Sequence, residues 1–331
     1  MAENPTPRQM ARDLLQGIAP PRPLFLPIVF SLGARVENLP LRAFLTNPTR
    51  ITNALRQVRS RLPGDGITCY FDPYLEVETL GAELRWESDD RPPAVCWPGV
   101  ARKGELPKAL QSPEEAVKAG RVATAAEVIR RLTSLLHDEG LLMAGVSGPF
   151  TLAASLLQIG EQEWASANDT SSSALDLAAA MLTQTASVFV EAGAHVILIH
   201  EDVLPRLSPA SADDWANRLS PVINIIRFYG ALPVLLLTNP AAVCHLELLA
   251  NRELEAVLCP ALEASSLTGW PSADIPKLGV ALGPSCLQPD PELMKRIESL
   301  HPAVVTTAGD VPPSADIKQL ARMCEEVRRW R

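Results

Sequence analysis

His200, Glu201 and Asp202 stand in a row at the end of an apolar run, inside the stretch GAHVILIHEDVLPRLSP (Gly193 to Pro209). An imidazole beside two carboxylates can hold a proton or hand it on near neutral pH. Successive strand residues face opposite ways, so one of His200 and Glu201 must point inward. Asp202 has a plainer alternative role as the cap of the turn that follows. Asp72, set between aromatics in CYFDPY, is the next candidate. Partial desolvation beside Phe71 and Tyr74 would raise its pKa, which suits a proton donor or an acceptor for a cationic ring nitrogen. Arg35, in SLGAR after Ser31, is either a clamp for a carboxylate or phosphate or a surface arginine.

These residues need elements to hold them. Eight apolar segments read as strands: Arg22 to Phe30, Gly66 to Asp72, LLMAGVSG, HVILIHED, LPVLLLTN, AVLCPA, KLGVALG and AVVTTAG. Amphipathic stretches separate most of them. One is expected to run unbroken from a cap at Ser112 to Gly140. AELRWES reads as an added hairpin strand outside the repeat. Near-continuous apolar strands mean a parallel sheet covered on both faces. Eight of them predict an α/β fold, a single-domain (β/α)8 TIM barrel over residues 22–331 with an N-terminal extension over 1–21. A doubly wound open sheet is the alternative, and no G-x-G-x-x-G or Walker A sequence supports it.

In a barrel, chemistry gathers where the strands end. Those ends supply Ser31 to Arg35, Asp72, Ser147, His200 to Asp202, Thr238, Asn239, Cys259, Ser285 with Cys286, and Thr306 to Asp310. Metal binding has little to build on. His137, His195, His245 and His301 fall in helices or at strand starts, Cys244 and His245 are sequence neighbours, and no H-E-x-x-H occurs. Zinc on His200, Glu201 and a cysteine has no spacing signature.

The 331 residues carry a net charge of -8, which argues against a nucleic acid or an anionic membrane as partner. Six cysteines without paired spacing read as reduced thiols. No segment reads as a signal peptide or a membrane span, and the expected compartment is the cytoplasm.

Taken in order, these segments resemble the uroporphyrinogen decarboxylase superfamily, which includes the heme-pathway decarboxylase and the corrinoid-dependent methyltransferases. The likeness is carried by GARVENLPLRAFLTNPTRITNALRQV, FDPYLEVETLGAELRWESDDRP, SGPFTLAASLL, GAHVILIHEDVLPRLSP and GDVPP, from about Arg22 to Val327. It implies a (β/α)8 barrel and puts Asp72 where the decarboxylase binds pyrrole NH groups. Ser31 replaces the first arginine of that enzyme's R-Q-A-G-R motif, Ser155 its tyrosine and Gly309 its histidine. The methyltransferases' zinc ligands fall on Leu237, Asn239 and Gly309, so the resemblance comes without the usual zinc.

The resulting expectation is methyl transfer to or from a corrinoid without a His-x-Cys/Cys zinc site. Decarboxylation of uroporphyrinogen or a related tetrapyrrole is one rival, and a catalytically silent tetrapyrrole- or partner-binding barrel is another. Asp72, His200 and Glu201 are the expected catalytic residues. Arg35, Ser31, Phe71 and Tyr74 are expected to bind substrate, as are Ser147, Phe150 and Ser155, and also Asp202, Thr238, Asn239 and Asp310. No tightly bound cofactor and no metal are expected. The corrinoid would arrive as substrate or on a partner protein, and oligomerisation is left open.

Overall fold

The structure, a computed structural model, describes residues 5–89, 91–98, 103–136, 140–166, 169–239, 245–250, 252, 254–267, 277–288 and 290–330. His137 and Cys244 lie outside the described residues. The chain opens with α1 (Pro7–Leu15), capped by the Thr6 side chain, and β1 (Leu24–Phe25). Helices α2 (Leu32–Val36), α3 (Leu41–Phe44) and α4 (Pro48–Arg61) lead to β2 (Gly66–Tyr70). Then come α5 (Leu75–Thr79), the antiparallel pair β3 (Glu83–Arg85) and β4 (Ala94–Cys96), α6 (Pro113–Ala116) and α7 (Gly120–Leu136). The middle of the chain is β5 (Leu141–Ser147), α8 (Pro149–Leu157), α9 (Asp169–Glu191), β6 (Val196–Glu201), α10 (Pro209–Phe228) and β7 (Leu232–Leu237). It finishes with α11 (Leu246–Ala250), β8 (Val257–Leu262), β9 (Val280–Leu282), α12 (Pro291–Glu298), β10 (Val304–Thr307) and α13 (Ile317–Val327).

Eight strands form one parallel sheet in the order β1-β10-β9-β8-β7-β6-β5-β2. Its two edges, β1 and β2, meet through Asp65 N donating to Phe25 O (3.0 Å) and Val29 N donating to Thr68 Oγ1 (3.3 Å). Thr68 Oγ1 in turn donates to Pro27 O at 3.2 Å. Proline has no N–H for a ladder, so a hydroxyl bridges the seam there. The predicted first strand is accordingly short as a ladder, although Leu26 to Phe30 stays buried beyond it. The result is an α/β TIM barrel, as the apolar segments predict. α1 buries Met10, Ala11 and Leu14 and packs on β1 and β7. The N-terminal extension therefore shares the core of the barrel.

One expectation needs correction. The helix expected to run from Ser112 to Gly140 is broken: α6 ends at Ala116, and α7 begins at Gly120 with φ +65°. A positive φ is costly for residues other than glycine and cannot continue a right-handed helix. Ser112 makes no side-chain cap bond. Ser171–Glu191 within α9 is long and apolar enough to cross a membrane by length and composition. Half of it is buried, against α8, α10 and α7, in the helical layer around the sheet.

Candidate functional site

The ends of β1, β2, β6 and β10 surround a cavity of about 470 Å³ at the C-terminal mouth of the barrel. Phe30, Phe71, Tyr74 and Trp86 give it aromatic walls. Ser31, Asp72, Asp202 and Asp310 give it polar ones, and among the described residues no lysine or arginine lines it. A second cavity, of about 400 Å³, lies at the opposite end beside α1, away from the face where barrel enzymes do chemistry.

His200 sits directly behind this wall. It pairs in register with Ser147 on β5 and stacks at a tilt on Phe71, ring centroids 5.1 Å apart. Its Nδ1 lies 3.0 Å from Asp202 Oδ2, and its Nε2 lies 3.5 Å from Ser147 Oγ. Ser147 Oγ donates to Glu76 Oε2 at 2.9 Å, and Thr238 Oγ1 donates to Asp202 Oδ1 at 2.8 Å. Burial disfavours the imidazolium, but the carboxylates of Asp202, Glu76 and Glu201 outweigh it and raise the His200 pKa. For Asp202 burial pushes upward, and His200 and the Thr238 hydroxyl outweigh it, so its pKa is lowered. Burial raises the pKa of Glu76 against the pull of His200 and Ser147. Asp202 is the member of this chain that reaches the cavity.

Asp72 is held from the other side. Its Oδ2 accepts from Arg121 Nη1, and its Oδ1 accepts from Tyr74 N at 2.9 Å. Arg121, on α7, also donates through Nε to Glu78. Arginine and Asp72 are both buried, and burial lowers the Arg121 pKa. Asp72 is thus a carboxylate with a fixed cationic partner, and its expected isolation among aromatics is corrected. Tyr74 has its pKa raised, first by burial and then by Asp202.

Asp310 works at the seam. Its two oxygens accept from Phe30 N and Ser31 N, each at 2.8 Å. Burial pushes its pKa up to about 6, against the pull of those donors. The carboxylate thereby ties the turn after β10 to the start of α2.

Glu201, expected among the catalytic residues, does not line the cavity. Strand alternation turns it toward the helical layer. There Oε1 accepts from Trp215 Nε1 (2.8 Å) and Phe150 N (3.2 Å), and Oε2 accepts from Thr151 N (2.9 Å) and Thr151 Oγ1 (2.8 Å). It satisfies the free N–H groups at the start of α8. A Cβ on Gly148 would overlap this carboxylate, so only glycine fits there. Burial pushes its pKa up to about 7 despite four donors.

Other expected binding residues also lie elsewhere. Arg35 is exposed and donates to Ala315 O at 3.3 Å, because α2 turns it away from the mouth. Phe150 is buried edge-on against Trp164, and Ser155 Oγ donates back along α8 to Thr151 O. Asn239 Nδ2 donates to Glu161 Oε2 at 2.9 Å. Ser147 and Thr238 serve the His200 and Asp202 network from outside the lining.

Three residues of the site were not anticipated. Arg121 shares its helical stripe with Ala125, Val128 and Leu132, and a charge in an apolar stripe is the signal that marks it. Glu76 lies between buried Leu75 and Val77. Trp86 follows the hairpin strand β3 and has no sequence pattern of its own.

At the positions of the methyltransferases' zinc ligands, Leu237 and Gly309 have no donor side chain, and the Asn239 amide is bonded to Glu161. Among the described residues, no group of three His, Cys, Asp or Glu side chains is placed to hold a metal ion. The residues there do not fit zinc.

Comparison with solved structures finds a methyltransferase from Methanosarcina mazei, with a TM-score of 0.77 and 20% identity over 98% of both chains. A B12-independent methionine synthase from Shewanella sp. W3-18-1 aligns with a TM-score of 0.50 and 12% identity, over 84% of this chain and 87% of that one. At such identities the likeness is one of fold. No curated protein sequence matches. The uroporphyrinogen decarboxylase (URO-D) family profile matches residues 6–257, and the chain belongs to that family.

Proposed function

We propose that this protein moves a methyl group between a corrinoid and a small ligand held in the mouth cavity. The observation that carries the reading is the lining, aromatic and carboxylate-bearing with no basic side chain among the described residues. A polycarboxylate tetrapyrrole needs cationic clamps. Ser31 and the outward-facing Arg35 do not supply them. A methyl-bearing ligand needs an apolar enclosure that orients one carbon toward its partner and excludes water. The Methanosarcina mazei methyltransferase, alike along nearly its whole length, supports the same reading.

In this reading Phe71, Tyr74 and Trp86 enclose the ligand, while Asp202 and Asp72 meet its polar part. His200 and Arg121 act as positioning residues, each holding one of those carboxylates in place. The corrinoid comes as a substrate, free or on a partner protein.

The test is a side-by-side assay of methylcobalamin demethylation and carbon dioxide release from uroporphyrinogen. Loss of the methyl–cobalt spectrum with a panel of acceptors, abolished in Asp202→Ala, is the expected result. Uroporphyrinogen consumption without demethylation would refute it.

A further inference from the structure

We propose that the ligand of the mouth cavity is a methylated onium cation, a quaternary ammonium or a sulfonium, caged by Phe71, Tyr74 and Trp86 and drawn in by Asp72, Asp202 and Asp310. The inference rests on the methyl-transfer reading for its chemistry, but its binding part stands on the cavity alone.

Charge favours a cation. Three carboxylates line the cavity, and among the described residues no lysine or arginine does. The buried cations behind the wall do not balance them. Arg121 is shared between Asp72 and Glu78. His200 is bonded to Asp202 and linked through Ser147 to Glu76. Asp310 is held by two backbone amides and, among the described residues, has no ion pair. Arg42, above the Trp86 ring at 5.9 Å from its centroid, is itself paired with Asp89. Three carboxylates thus face the cavity, while the two cationic groups behind it are each shared with a further acid outside the lining, in a space walled by low-dielectric groups where charge is felt strongly.

The aromatic walls favour a methylated one. Indole, phenol and phenyl faces attract a positive charge that is spread over methyl groups and cannot be neutralised by losing a proton. An ordinary amine would have to share these carboxylates with donors they already hold, two apiece, whereas an onium asks of them only their charge.

Reactivity favours an onium as well. In a thiol-dependent transfer, zinc lowers the pKa of the thiol. An onium donor needs no such help. Its methyl–nitrogen or methyl–sulfur bond breaks with the electron pair staying on nitrogen or sulfur, which leaves as a neutral tertiary amine or sulfide. A cobalt(I) corrinoid supplies the electron pair for the new cobalt–carbon bond and becomes methylcobalt(III). No proton moves and no metal ion is required at Leu237, Asn239 and Gly309, where the residues do not fit one.

The test is isothermal titration of the full chain, without corrinoid, with choline, tetramethylammonium and trimethylsulfonium. The control is dimethylbutanol, the uncharged carbon isostere of choline. At least one cation is expected to bind saturably, and dimethylbutanol about ten-fold or more weaker than choline if choline is that cation. Trp86→Leu and Asp202→Asn should each weaken the bound cation about ten-fold, with folding checked by circular dichroism. Ammonium and sulfonium arms decide which onium is preferred. Failure of all three cations to bind, equal binding of dimethylbutanol and choline, or binding unchanged in both variants would overturn the inference. A cation that binds while no corrinoid is ever methylated would sink the methyl-transfer reading and leave the cage standing.

Discussion

His200 Nδ1 lies 3.0 Å from Asp202 Oδ2, with the imidazole sealed behind Phe71 and the carboxylate open to the cavity. The pair joins the barrel interior to its mouth, and it carries a pH signature. The His200 pKa is raised above its ordinary 6.5, so the stability it contributes is full below that value and fades as pH rises through the folded-state value. Melting curves of wild type and His200→Gln, compared from pH about 5 to about 9, should show a gap that narrows toward alkaline pH. Asp310 titrates in both proteins and cancels in the difference. A gap independent of pH would contradict the pairing.

Glu201 is a structural carboxylate. Glu201→Ala removes the acceptor for two amides at the start of α8, the Thr151 hydroxyl and the Trp215 indole. Urea unfolding should show a loss of about 3 kcal/mol, the scale of several buried donors left unpaired. Activity per folded molecule should change little. A stable but inactive variant would return Glu201 to the catalytic group.

Arg121 and Asp72 form a buried pair whose members depend on each other. Arg121→Met strands a carboxylate and should cost about 3–5 kcal/mol, whereas Arg121→Met with Asp72→Leu should recover most of that. Equal loss in the single and double variants would mean that the pairing itself is unimportant.

Asp310 closes the seam between β10 and the start of α2. In Asp310→Ala the amides of Phe30 and Ser31 should exchange with deuterium about ten-fold or more faster, since each loses a charge-assisted bond worth about 1.5–3 kcal/mol. Unchanged protection would place the seam's stability elsewhere.

Much of the fold was legible because buried parallel strands write themselves as apolar runs, from LLMAGVS to VVTT. The breaks were harder. Nothing around Gly120 distinguishes a tolerated helical glycine from one at positive φ until the turn is built. For the site, alternation narrows the inward residue to His200 or Glu201 and stops there. Tertiary partners on α8 and α10 claim Glu201, and no local pattern records them. The sequence leaves Arg35 open between clamp and surface residue because a strand end fixes where a residue sits, while the short helix α2 decides which way it faces. Asp72 and Asp202 reach the cavity as expected, whereas their partners Arg121 and Thr238 come from other elements.

The measurement that bears most directly on methyl transfer is a single-turnover reaction under anaerobic conditions, with chelator-treated, metal-analysed protein. Methylcobalamin and a panel of acceptors would be supplied, with and without a corrinoid protein, and the corrinoid spectrum followed. The account predicts demethylation by zinc-free protein, lost in Asp202→Ala and retained per folded molecule in Glu201→Ala. No spectral change with any acceptor, or demethylation that appears only when zinc is restored, would contradict it.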